Sequence, residues 1–149
     1  MESINQKITV LSDALVTLAD SIVFFHEWEE IFSTDSNRQN ERFFLSARDS
    51  IIQRFEYCVD LFWKVIKMYL EREKIDFSLV SPRGVLRASV KAQLMSEIEG
   101  DQCMKMVESR NRTSHIYHEE MAQNIAHKVP EYYDLMKKIV DRMQSKMKN

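Results

Sequence analysis

Apolar residues recur in the first segment at Ile4, Ile8, Leu11, Leu15, Leu18, Ile22 and Phe25. The steps alternate between four and three, which sets these side chains on one face of a long helix. Residues 33–40 (STDSNRQN) are polar and predict a turn. The next segment carries two stripes side by side. Phe44, Ile51, Phe55, Cys58, Phe62, Val65 and Tyr69 form one, and Leu45, Ile52, Val59 and Ile66 form the other. A face this wide exceeds what one neighbouring helix covers, so this helix sits centrally or buries a flank against a second copy. It is expected over residues 38–74.

Ser81-Pro82 is a helix start: Ser caps free N–H groups and Pro fits the first helical position. Val85, Leu86, Val90 and Leu94 follow at helical spacing, and Gly100-Asp101 predicts an interruption before Met104, Met106 and Val107. The last stripe runs Ala122, Ile125, Val129, Tyr133, Met136, Val140, Met143, Met147. It stays in phase through Pro130, whose missing N–H and bulky ring predict a kink or break. The final MQSKMKN is expected to fray. No internal repeat or linker interrupts the pattern. The expected architecture is one all-α domain over residues 1–149, a bundle of five or six helices.

Composition narrows the functional classes. Only 2 Gly and 2 Pro leave little room for the turns of a many-stranded sheet. The net charge of −2 gives no global steering toward nucleic acid, so any such contact is local or arises from assembly. Cys58 and Cys103 lack metal or redox spacing and read as small buried hydrophobes. MESINQKITV does not read as a signal peptide, and no window reads as apolar enough to cross a bilayer. A cytoplasmic location without membrane contact is the expectation. His115 and His118, three apart, are the pair a metal could use, but no carboxylates stand at complementary spacing. Neither a metal nor another cofactor is therefore expected, and His118 and His127 read as exposed histidines. His26 and the methionine stripe read as packing residues, and Trp63 as a packed ring beside solvated Lys64 and Lys67.

Residues 109–120, SRNRTSHIYHEE, concentrate groups suited to phosphate and proton chemistry. Arg presents a planar, permanently charged fork that matches two phosphate oxygens. His exchanges a proton near neutral pH. Asn111 and Ser114 can orient a ring or phosphate by hydrogen bonding. Arg110 and His115 are five apart, hence roughly 140° apart around an unbroken helix. Two arrangements bring them to one ligand. The helix ends or distorts between them, or a two-fold axis passes nearby and two copies line one cleft. Together they form a minimal kit for metal-free RNA cleavage: His115 manages the proton of the 2′-hydroxyl or of the leaving oxygen, and Arg110 offsets charge on the phosphoryl oxygens. The competing reading is a helix-end cluster in which Arg110 pairs with acids such as Glu108 or Glu119 and His115 is satisfied inside the bundle.

RNRTSHIY, residues 110–117, resembles the Arg-x4-His-x-Tyr motif of HEPN-domain proteins. Together with RFEYCVDLFWKVIKMYLE (54–71), SPRGVLRASVKAQLM (81–95) and RNRTSHIYHEEMAQNIA (110–126), it resembles the nucleotidyltransferase substrate-binding proteins encoded beside minimal nucleotidyltransferases. The resemblance implies a dimerising helical bundle with the motif near the dimer cleft. It also implies a ribonuclease toxin paired with a nucleotidyltransferase antitoxin. In that scheme Arg110 and His115 carry catalysis on RNA, Asn111 fills the polar position after the Arg, and Tyr117 is the tyrosine to which the partner attaches AMP. Gly84 departs from the charged helix formers common at its position and is expected to loosen the third helix slightly. Two further readings stand beside the toxin: a non-catalytic subunit that grips a nucleotide for the transferase, and a helical dimer whose motif only fixes the interface.

Overall fold

The computed structural model describes residues 2–115 and 118–148. Ser3 opens α1 (Ile4–Thr34) with a capping box: its hydroxyl accepts from the Gln6 N–H, and the Gln6 side chain accepts from the Ser3 N–H. The expected stripe is the buried face, with Ile8, Leu11, Leu15, Leu18 and Phe25 in the core. The helix reaches Thr34, so the connection is residues 35–37 rather than 33–40. Ser33 and Thr34 both turn their hydroxyls back to the Glu30 carbonyl, which lets polar residues complete a helix.

Asn37 caps α2 (Arg38–Arg72), its side chain accepting from the Asn40 N–H at 2.8 Å. This helix packs against each of the other four. Both of its stripes are buried, apart from the half-buried Leu45. The wide apolar face therefore serves a central position inside a single chain.

Ser81 and Pro82 start α3 (Pro82–Lys91) as expected, the Ser81 hydroxyl accepting from the Gly84 N–H. Gly84 does more than loosen this helix. A Cβ there would lie 2.3 Å from the Leu79 carbonyl oxygen, so glycine is what lets the incoming chain cross the first turn. The interruption expected at Gly100-Asp101 falls earlier, before α4 (Glu97–Arg112), which a Ser96–Glu99 capping box starts. Gly100 lies inside α4 and faces Val90 of α3, where a Cβ would meet the Val90 side chain at 2.5 Å.

A 3-10 turn (Thr113–His115) closes α4, and α5 (Glu119–Met147) completes the bundle. α5 runs unbroken through Pro130, without the expected break, and reaches Met147. The stripe on both sides of the proline is buried in one core, from Val129 to Met136 and Met143, each with no exposed surface. Arg142 of α5 donates to both oxygens of Glu99, at 2.7 and 3.0 Å, and to the Leu94 carbonyl. Those hydrogen bonds hold the Glu99 carboxyl down at about 2. Cys58 and Cys103 are buried free thiols, each pushed up to about 12 by burial. Met136 and Met143 of the last stripe are core residues, as are Met95 and Met106.

A further expectation is overturned: that no window is apolar enough to cross a bilayer. α1 contains an 18-residue window of mean hydropathy 1.8, long and apolar enough by length and composition to cross a membrane. The stripe accounts for only part of that value, because the outer face also carries apolar residues. Val16, Val23 and Phe24 are exposed on the face turned away from the core.

Candidate functional site

The last turn of α4 is shaped by Thr113. Its backbone N–H and its hydroxyl both donate to the Arg110 carbonyl, the hydroxyl at 2.6 Å. Two donors on one carbonyl tighten the α-helix into the 3-10 turn that carries Ser114 and His115. The distortion thus falls between Arg110 and His115. Asn111, Ser114 and His115 are all exposed. His115 is not a satisfied histidine of the interior. Tyr117 lies outside the described residues.

Arg110 turns toward α2. Its Nε and Nη2 form a fork on Asp60, at 3.0 and 3.1 Å. Its Nη1 stands 3.2 Å from Glu56 and donates to the Thr113 hydroxyl. The hydrogen bonds to Asp60 raise the guanidinium above even its ordinary range. Only about a fifth of the side chain (22%) is exposed. The carboxylates that meet Arg110 are therefore Asp60 and Glu56. Glu108, the acid nearer in sequence, pairs with Arg83 instead.

Sequence reasoning missed Asp60 and Glu56. They stand four apart on the polar edge beside the α2 stripe, which is a legible pattern. Their partner lies fifty residues away, and no local spacing reveals it. Within one chain the fork pins the end of α4 to α2 and so fixes where the 113–115 turn projects. It also sets two negative charges against one positive charge. Arg110 is a preformed anchor here, with its charge already balanced, while His115, Ser114 and Asn111 remain open to a ligand.

The other histidines hold helices together or stand on the rim. His127 and Gln123 of α5 both hydrogen-bond Glu29 of α1. His26 lies beside the same carboxylate, with its side chain half exposed. Trp63 packs partly against the core with the exposed Lys64 near its ring.

A family model described as "Nucleotidyltransferase substrate binding protein like" matches residues 15–145. A crystal structure of a Thermus thermophilus protein is similar at 31% identity and a TM-score of 0.69, over 89% of this chain and 98% of that one. The tri-AMPylated Shewanella oneidensis HEPN toxin, solved in complex with its MNT antitoxin, aligns at 16% identity and a TM-score of 0.67, over 97% and 99% of the two chains. A toxin–antitoxin structure with AMP-PNP aligns at 16% identity and 0.65, over 96% and 99%. The two alignments at 16% identity establish a common fold. Comparison with curated proteins returns no match.

Proposed function

Because the chain belongs to the nucleotidyltransferase substrate binding protein-like family, we propose that it is the HEPN-type toxin of a toxin–antitoxin pair, a metal-independent endoribonuclease silenced by a cognate minimal nucleotidyltransferase. The observation that carries this reading is the end of α4: the Arg-x4-His spacing is split by a 3-10 turn that leaves His115 exposed beside Asn111 and Ser114. An exposed imidazole on this turn can take the 2′-hydroxyl proton of an RNA strand or return one to the leaving oxygen. Arg110 fixes that turn through Asp60. It meets phosphate charge once a bound strand, or a second copy of the chain, displaces Glu56 from Nη1. The active species is a homodimer in the cytoplasm with the motif near its cleft. AMP placed on Tyr117 by the partner adds a bulky anion where RNA phosphate binds, which accounts for silencing.

Expression of the wild-type chain without the partner arrests growth and the purified protein cuts RNA, and His115→Ala abolishes both. A wild-type chain that neither arrests growth nor cuts RNA, indistinguishable from His115→Ala, rejects the nuclease.

A second reading is favoured by the engagement of Arg110 itself. A guanidinium already balanced by Asp60 and Glu56 suits a subunit that grips a nucleotide without transition-state chemistry. Calorimetry on the complex with the nucleotidyltransferase separates the two. The binding subunit takes up nucleotide in an Arg110-dependent manner and leaves RNA intact.

A further inference from the structure

Arg110 and Arg112 are two residues apart, and α4 sends them to different neighbours. Arg110 is consumed by α2. Arg112 is exposed, and among the described residues no hydrogen bond or ion pair engages its guanidinium. It lines a groove between the end of α4 and the first half of α5. The groove encloses about 440 Å³, within the usual range for a small-molecule site.

The lining has a definite chemical character. Among the lining side chains Arg112 and Lys128 stand against a single carboxylate, Glu120, with His118 beside them. That is a local cationic excess in a chain of net charge −2. Lys128 contacts Glu131 at 3.2 Å, but both side chains are well over half exposed, so the pair contributes little and yields readily to a phosphate. The floor is apolar, formed by Ile125 and the half-buried Met121 beside Tyr132. The Tyr132 hydroxyl is already occupied, 3.3 Å from the Ser109 hydroxyl in the buried layer beneath. Asn124 stands among these groups with a side-chain amide that can both donate and accept.

We propose that this groove is a nucleotide subsite of an RNA strand: Arg112 and Lys128 hold a phosphate, the apolar floor receives a base, and Asn124 reads the base edge. The subsite rests on the ribonuclease reading and extends it, placing the neighbouring nucleotide on the α4–α5 side of the motif. An acidic peptide would satisfy the same two cations. It would leave the apolar floor and the Asn124 amide without matching groups.

The test uses the full-length chain in a His115→Ala background, so that RNA is bound and not consumed. Fluorescence anisotropy with a labelled single-stranded RNA oligonucleotide compares that protein with one also carrying Arg112→Ala and Lys128→Ala. Both side chains lie on the surface, and circular dichroism checks that the fold is retained. The expected result is a Kd raised by about tenfold or more, with the slope of log Kd against log salt reduced by about 1. In the chain that retains His115, the same pair of substitutions lowers kcat/KM on RNA mainly through KM. Unchanged affinity and salt slope, in a protein that still binds RNA and whose wild type still cuts it, overturn the subsite and leave the nuclease standing. A wild-type chain that neither binds nor cuts RNA removes both. Displacement of the RNA by poly-glutamate as effectively as by unlabelled RNA overturns the nucleotide assignment in favour of a peptide.

Discussion

Arg110 and Asp60 act as one unit, and that coupling is measurable. Asp60→Ala and Arg110→Ala each cost about 1 kcal/mol in urea unfolding, a modest figure because nearly half of Asp60 (45%) is exposed to solvent. The double variant costs little more than either single one, since each removes the same fork. Additive losses would show that the fork contributes nothing of its own. Glu99 is a different case, because 10% of its side chain is exposed and Arg142 holds it from two sides. Its carboxyl titrates at about 2 in the folded chain against an ordinary 4.5. A depressed folded-state pKa means stabilisation that is complete above about pH 4.5 and lost as pH falls toward 2. Glu99→Gln therefore lowers stability by about 2 kcal/mol at neutral pH, and the gap to wild type narrows between those limits in pH-dependent denaturation. Gly84→Ala pushes a methyl group onto the Leu79 carbonyl and costs about 1–3 kcal/mol, seen as a lower Tm. The caps at Ser81 and the buried cysteines were legible at this scale, because their causes are local. Asp60, Glu56 and the Leu79–Gly84 contact were not, because each depends on a neighbour that only the assembled chain supplies.

The apolar periodicity located the helices, and most errors fell at their ends. Residues 33 and 34 looked like loop by composition, yet their hydroxyls cap Glu30 from within α1. Gly100-Asp101 looked like a breaker pair, yet the Ser96 capping box starts the helix before them and the glycine is a packing contact. In both places a polar or small residue had a tertiary use that outweighed its propensity. The persistence of α5 through Pro130 follows the same rule, because the buried stripe on either side stabilises the helix more than one missing N–H costs. Pro130→Ala restores a donor for the Ala126 carbonyl. It should raise stability by about 1 kcal/mol, less than the roughly 3 kcal/mol of an unadapted proline, since alanine also frees the unfolded chain. Differential scanning calorimetry reads the change as a higher Tm. A lower Tm would mean that the proline ring packs favourably where it stands. The spacing allows a distortion at Thr113–His115 as one way to bring Arg110 and His115 together; the turn is present, yet Arg110 is held by Asp60 and Glu56 and His115 stands exposed. What the spacing did not disclose is the cause, a threonine that places two donors on the Arg110 carbonyl.

At the scale of the whole molecule, the proposed chemistry depends on where the second copy stands. Within one chain Arg110 is tied to the α2 carboxylates Asp60 and Glu56, while His115 stands exposed on the turn that follows. A dimer that completes the site in trans sets the Arg110 of one copy beside the His115 of its partner. Mixing separates this arrangement from a site contained in one chain. Under the proposed mechanism, Arg110→Ala protein and His115→Ala protein are each expected to be inactive on RNA. When the two are co-refolded in equal amounts, about half the dimers are mixed by random pairing, and each mixed dimer holds one intact site and one doubly damaged site. The expected recovery is about a quarter of the wild-type rate, measured as RNA cleavage after verifying dimers by sedimentation. Sites contained within single chains give no recovery at any mixing ratio, because every chain then carries a damaged site. The stoichiometry therefore reports the geometry directly. A quarter places the guanidinium and the imidazole on opposite copies, whereas zero in a proven mixed dimer returns both to one chain and requires Glu56 to leave Arg110 before phosphate can bind.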